Sequence, residues 1–246
     1  MNGIVLVASM SKAYYTSAVR LACSIRDYSN FPITLFTHES FVQENHRNLF
    51  DNIITNIPVH IRAKLWGISK SPYENTLYLD SDMEVVSPEF SKVFDLLEDN
   101  DLILTKIRPH VSKEVTISKT TKEKLIYHGG FIMFNHKTHT RRLMENWWTG
   151  YTEQQKNWNF PDHYDRNMQR WDQFTLWRLL KESEYNFKIK TPKNDYRWNY
   201  IHLYDELGVN PKNKKESKSP IIYHYTIPEE FVKQRKFNNR LNLETH

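Results

Sequence analysis

The sequence predicts an α/β fold with a mostly parallel central sheet flanked by helices. Two observations carry that expectation. Short apolar, β-rich segments alternate with stretches of helical periodicity, the pattern of strand–helix–strand units. The chain has 246 residues, 39% hydrophobic and 26% charged, enough for a sizeable buried core in a globular protein.

The elements follow in order. Ile4 to Ala8 is an unbroken apolar run and reads as a buried strand. Ser9-Met10-Ser11-Lys12 interrupts it, and Ala18, Leu21, Ala22 and Ile25 then recur at helical spacing, predicting a helix over 13–27. Ile33–Thr37 is a second strand and Ile53-Ile54 begins a third. Residues 61–69 read as helix, Thr76–Leu79 as a short strand, and Leu102–Leu104 as another. Residues 108–126 are rich in Lys, Thr and Ser, and predict a mobile loop or an exposed hairpin. His128–Asn135 follows as a strand opened by Gly129-Gly130, two of only six glycines in the chain. Side by side beside an apolar strand, they suggest close approach of the backbone to something, or a plain bulge. Residues 141–171 are dense in Trp, Tyr, Arg and Lys and form an aromatic, basic helical insertion. Trp171-Asp172-Gln173 opens a helix with Phe174, Trp177 and Leu180 on one face. Residues 208–219 are a polar surface loop, Ile221–Tyr225 a last strand, and the tail beyond Pro228 is basic. No repeat or second domain is visible. Residues 1–107 and 127–246 read as two halves of one unit.

Composition excludes several classes. Cys23 is the only cysteine, so an internal disulfide scaffold and a cysteine zinc site are ruled out. No apolar stretch approaches the ~20 residues of a membrane helix. No basic region followed by a long apolar run marks a signal peptide, so the sequence reads as cytoplasmic. The net charge of +5 and an isoelectric point near 9.0 suit a protein that meets phosphates or nucleic acid. They suit a solvated surface with a small cationic excess equally well.

Asp80-Ser81-Asp82 is the strongest chemical signal. Two carboxylates two residues apart, at the carboxyl end of a buried strand, can share one hard divalent cation. Ligands of open α/β sheets bind beyond those strand ends. A solvated turn is the plain alternative, but an apolar strand has no structural reason to end in two packed acids.

The stretch from Ser71 to Val85, with its Leu77-Tyr78-Leu79-Asp80-Ser81-Asp82 centre, resembles the metal-binding segment of GT-A-fold glycosyltransferases. It is most similar to the glycogenin and galactosyltransferase group called family 8. Three further pieces resemble that family in the same order. The opening strand and helix resemble its nucleotide-binding start, with Ala8 and Ser9 at the donor and Tyr14 where an aromatic lies against the base. Gly129-Gly130-Phe131 resembles the small-residue strand beside the donor sugar, and Trp171-Asp172-Gln173 resembles its Asp-Gln pair. Phe174 departs from the family pattern, where a second acid often follows.

The resemblance implies a single GT-A domain and a metal-dependent transfer from a nucleotide-diphosphate sugar, UDP-linked, with retention. Asp80, Asp82 and His224 would ligate Mn2+ or Mg2+, and Asp172 and Gln173 would be catalytic. Ser81, Lys64, Gly129, Gly130 and Lys233 would line the donor, with Arg235 and Lys236 near the diphosphate. Each residue also has a structural reading. Lys64 could be a solvated helix lysine, His224 a core histidine, and Asp172 a helix N-cap. Arg141, Trp147, Trp148, Lys156, Trp158, Arg166 and Arg170 could grip an acceptor glycan or a flipped base in DNA, or simply pack. A metal nuclease using Asp80 and Asp82 is the alternative function.

Overall fold

In the computed structural model, which describes residues 1–107, 116–118, 120, 123–201 and 219–225, the first strands are laid down in parallel. They are β1 (Asn2–Ala8), β2 (Ile33–Thr37), β3 (Asn52–Ile54) and β4 (Asn75–Leu79). The later strands are β5 (Met83–Val85), β6 (Leu102–Lys106), β7 (Tyr127–Asn135), β8 (Ile189–Lys190), β9 (Tyr200–Ile201) and β10 (Ile222–His224). Seven strands form one sheet in the order β3-β2-β1-β4-β7-β6-β8. β7 runs antiparallel to both β4 and β6, so the sheet is mixed rather than wholly parallel. A second sheet, β5-β10-β9, joins β5 antiparallel to β10.

The helices are α1 (Lys12–Arg26), α2 (Ala63–Ser69), α3 (Thr138–Lys156) and α4 (Asp172–Glu182). Side chains of β1 alternate between two cores, as strand geometry requires. Ile4, Leu6 and Ala8 meet α1, while Val5 and Val7 join the cluster containing Leu65 of α2 and Trp147 of α3. Trp147 is fully buried, and its Nε1 donates to the backbone oxygen of Asp172 at 2.8 Å. Truncating such a side chain costs about 3–5 kcal/mol.

The strand order reverses direction at β1. The chain passes from β1 to β2 on one side and returns to β4 on the other, so a crevice opens at their carboxyl ends. It is a cavity of about 210 Å³ lined by residues that include Ser9, Tyr14, Arg62, Lys64, Asp80 and Asp82.

Three local expectations need correction. Asp172 does not cap α4. Trp171 is the N-cap, and Asp172 is the first helical residue, with no capping bond from its side chain. Phe174, Trp177 and Leu180 do not share one core. Phe174 and Trp177 pack with Ile117 and Met168, whereas Leu180 packs against the cluster of Trp147. Among the described residues of 108–126, Ile117 is fully buried rather than exposed, and Thr116 is bridged to Lys124. Residues 208–218 and the tail from 226 lie outside the described residues.

Two polar anchors hold the periphery. Burial alone would raise the pKa of Asp101. Hydrogen bonds from the Lys188 N–H, Asn135 and Lys137, with His139 Nε2 standing 3.1 Å away, outweigh it and hold the carboxyl well below the usual range. Buried Arg197 grips both carboxylate oxygens of Glu89 and donates from Nε to the Ser219 carbonyl at 2.8 Å. The latter bond ties the segment carrying β10 to the main body.

Candidate metal and donor site

The Asp80-Ser81-Asp82 turn is the link between the two sheets. β4 ends at Leu79 and β5 starts at Met83, so both carboxylates emerge where the chain changes sheet. The Asp80 N–H donates to the Gly130 carbonyl at 2.9 Å, and the Tyr225 N–H donates to the Asp82 carbonyl at 3.0 Å. The first bond holds the turn to β7, and the second brings β10, and with it His224, against the turn. His224 Nε2 lies 3.2 Å from Asp82 Oδ1 and 3.9 Å from Asp80 Oδ2. One ligand atom from each of Asp80, Asp82 and His224 lies within 4.8 Å of the others.

The groups around this cluster set its charge. Burial works against ionisation of Asp80, but the Lys64 ammonium, His224, the Tyr78 hydroxyl and His128 bring its pKa down to about 2. Lys64 Nζ donates to Asp80 Oδ1 at 3.1 Å and to the Gly129 carbonyl at 2.9 Å. The Tyr78 hydroxyl donates to the same Asp80 oxygen at 2.6 Å. His224 is fully enclosed, which lowers its pKa, yet the adjoining Asp82 and Asp80 carboxylates raise it overall. Lys64 is thus enclosed against Asp80 and Gly129 and is not a solvated helix lysine.

Beside this cluster, Asp172 is fully buried, and neither carboxylate oxygen has a hydrogen bond. Arg62 Nε stands 3.3 Å from Oδ1, within ion-pair range but without hydrogen-bond alignment, and Lys64 Nζ stands 3.9 Å from Oδ2. Gln173 Oε1 is also buried without a partner. Buried polar atoms are normally satisfied, so these acceptors call for an explanation beyond the ion-pair contacts of Arg62 and Lys64. Gln154 fixes the start of α4: its Nε2 donates to the carbonyls of Met168, Gln169 and Trp171, and Thr175 donates to its Oε1.

The two glycines lie between these groups. A Cβ on Gly129 would stand 3.4 Å from Lys64 Nζ and 3.6 Å from both Asp172 Oδ2 and Gln173 Nε2. A Cβ on Gly130 would stand 2.8 Å from His224 Cε1, 2.9 Å from Asp80 Oδ2 and 3.0 Å from His128 Cε1. The pair does fall in a bulge: β7 pairs with β6 at Ile132↔Leu104 and next at Tyr127↔Lys106, which leaves Gly129 and Gly130 among the extra residues. Their missing side chains also keep the space between these groups clear.

Other expected residues fall as follows. Tyr14 lines the crevice at 47% exposure, beside the exposed side chains of Met10 and Ile61. Ser9 and Ser81 line it too. Ala8 does not: its side chain is buried in the core, and only its carbonyl is engaged, by Thr37. Lys233, Arg235 and Lys236 lie outside the described residues. The aromatic and basic residues expected to grip an acceptor divide by burial, with Lys156 and Trp158 lining one cavity beside Phe160 and Arg178. Trp147 is core and Trp158 packs on Phe160 and Phe174, while Arg141, Lys156, Arg166 and Arg170 point to solvent.

Four site residues had no individual signal in the sequence: Arg62, Tyr78, His128 and Asn199. Asn199 Oδ1 is 2.8 Å from His224 Nδ1, and its Nδ2 donates to Thr105 Oγ1. Metal-ligating histidines are commonly oriented by such a second partner.

No protein-family model and no curated protein matches the chain. Solved structures do. The glycosyltransferase GlyE of Streptococcus pneumoniae TIGR4 superposes with a TM-score of 0.59 at 17% identity, over 98% of this chain. This chain spans 63% of GlyE. An active-site mutant of LgtC gives a TM-score of 0.59 at 15% identity, covering all of this chain and 98% of LgtC. Mouse xyloside xylosyltransferase 1 gives 0.53 at 12% identity, covering 93% of this chain and all of the other. The fold is that of the GT-A glycosyltransferases.

Proposed function

We propose that the chain is a metal-dependent glycosyltransferase that moves a sugar from a nucleoside-diphosphate donor, a UDP-sugar, to an acceptor hydroxyl of a glycan. One observation carries this reading. The Asp80–Asp82–His224 cluster and the orphaned Asp172 carboxylate flank the same cleared floor of Gly129 and Gly130 at the crevice. A galactosyltransferase of the same fold, LgtC, has been solved with donor and acceptor sugar analogues.

The donor set suits a divalent cation. Asp80, Asp82 and Asp172 face the cations Arg62 and Lys64, so the site carries an excess of negative charge that a divalent ion offsets. Two carboxylates with one imidazole suit Mn2+ better than Mg2+. Bound there, the ion would neutralise charge on the leaving diphosphate.

The chain's own residues do the rest. Lys64 has hydrogens to share with a phosphate oxygen, and Tyr14 offers a ring to the base. Asp172 accepts hydrogen bonds from sugar hydroxyls, and Gln173 lies beside it under the reacting carbon. Retention of the anomeric configuration is the stereochemistry we propose.

The test is a calorimetric titration of UDP into the protein with and without Mn2+. Binding that requires the metal is expected. No binding under either condition overturns the reading. Product stereochemistry from a UDP-sugar panel, read by proton NMR, then decides retention.

A further inference from the structure

A fully buried carboxylate is costly to hold unless a cation is held beside it. For Asp172 the nearer of two cations comes from the segment 57–62, not from a helix interior. Arg62 ends that segment as the N-cap of α2, and its Nε stands 3.3 Å from Asp172 Oδ1. Holding so long a side chain in one place costs entropy, which a fixed backbone reduces. The structure shows what fixes it.

A chain of hydrogen bonds runs from Arg62 to α3. The Arg62 N–H donates to His60 Nδ1 at 2.9 Å. That nitrogen is an acceptor, so Nε2 of His60 is left to donate to Gln155 Oε1, 2.9 Å away. Gln155 donates from Nε2 to the Tyr151 hydroxyl at 2.8 Å, and Tyr151 donates to the Arg170 carbonyl at 3.1 Å. The last link ends two residues before Asp172. The His60 ring is also held edge to face by Trp148 and Tyr151, with centroids 5.3 and 6.1 Å away. Ser9 pins the same segment from β1, its Oγ donating to the His60 carbonyl at 3.2 Å. One helix, α3, thus secures both members of the Arg62–Asp172 pair. It reaches Arg62 through His60, and it reaches Asp172 through the bonds of Trp147, Tyr151 and Gln154 to carbonyls of residues 168–172. Ile61 and Arg62 line the crevice, whereas His60, Gln155 and Tyr151 do not.

We propose that His60 is a positioning residue: bonded to Gln155 of α3, it holds Arg62 beside the Asp172 carboxylate and so keeps that carboxylate aimed at the donor sugar. The proposal rests on the UDP-sugar reading above and on the role given there to Asp172. His60 itself touches no substrate. It acts on the sugar end of the site and leaves the nucleotide end alone.

Two substitutions at His60 test it. His60→Phe keeps a ring against Trp148 and Tyr151 and removes both bonds. His60→Asn keeps an oxygen for the N–H two residues on, as in an Asx turn. UDP release is followed, with Mn2+ present, from the UDP-sugar that the wild type turns over. In His60→Phe, kcat is expected to fall about ten- to a hundredfold, the scale of a misplacement of about 1 Å. UDP affinity and KM for the donor stay within about twofold. His60→Asn recovers part of the loss, and Gln155→Leu, which cuts the chain from the α3 side, gives the same split. With Arg62→Met already in place, adding His60→Phe lowers kcat by less than about twofold, because the histidine acts through the arginine. A crystal structure of His60→Phe shows Arg62 Nε more than about 4 Å from Asp172 Oδ1, outside ion-pair range. Unchanged kcat in His60→Phe overturns the proposal, as does UDP affinity that falls in step with kcat, or full additivity with Arg62→Met. Arg62 at its wild-type distance from Asp172 in the variant structure overturns it too. Wild-type protein that binds no UDP overturns the donor reading itself, and the variant structure still decides whether His60 holds Arg62.

Discussion

Replacing Gly130 by alanine should disable the cation site while leaving the protein folded. The backbone there is not in the left-handed region, so it accepts a side chain without torsional strain. The added Cβ, however, would lie 2.8 Å from His224 Cε1 and 2.9 Å from Asp80 Oδ2. Comfortable contacts between such atoms begin near about 3.5 Å. The shortfall is about 0.6–0.7 Å on each of two ligands. Metal sites tolerate errors of about 0.2 Å in ligand distance, so the displacement exceeds the tolerance roughly threefold. We expect manganese affinity to fall by at least about tenfold, the lower end for losing a supporting group around a metal. Stability should fall by only about 1–3 kcal/mol, as for ordinary overpacking. Gly129→Ala is the matched control. Its Cβ meets nothing closer than 3.4 Å, so manganese binding and thermal stability should hold while KM for the donor rises. The assays are a manganese titration and a thermal melt. Wild-type manganese affinity in Gly130→Ala would refute the geometry.

Other perturbations separate the remaining roles. Asp172→Asn should cut sugar transfer by about a hundredfold or more with UDP binding nearly intact; equal loss of both would return Asp172 to a structural role. Asn199→Leu should weaken manganese binding about 10–100-fold through misoriented His224, read by the same titration. Asp101→Asn should cost about 2–4 kcal/mol in denaturant unfolding, because three donors lose their charged acceptor. The depressed folded pKa of Asp101 fixes the sign of its pH effect. Its contribution is whole above the unfolded value of about 3.9 and drains away as pH falls from there through the folded value. Wild-type melting temperature should therefore drop more steeply below about pH 4 than that of Asp101→Asn, and parallel curves would exclude Asp101 as the cause.

How much of this was legible beforehand depends on the range of each interaction. β1, α1 and β2 were readable because their apolar patterns are local, and α1 was placed within a residue at each end. The Asp80-Ser81-Asp82 turn was readable because both acids sit in one short segment after an apolar strand. His224 was reached only through the order of motifs, since its partners lie on β5 and on the turn before it, far away in sequence. Arg62, His128 and Asn199 escaped for the same reason: what makes each a site residue is a neighbour brought in by folding. The antiparallel course of β7 was equally hidden, because direction leaves no mark on the composition of an apolar strand.

The small β5-β10-β9 sheet has a consequence for how the proposed cation site is assembled. β10 pairs with β5, and Tyr225 reaches Glu84, across a separation of 141 residues. Closing so long a loop carries an entropic cost that local contacts must already have offset. On this reasoning His224 would join Asp80 and Asp82 only after the seven-stranded sheet has formed a surface for β10 to dock on. A cation held by the proposed site would then be captured by a nearly finished molecule and would not template the early stages of its folding. It would act as a clasp on the late-docking strand, stabilising the closed sheet in proportion to free ion and raising amide protection there before anywhere else.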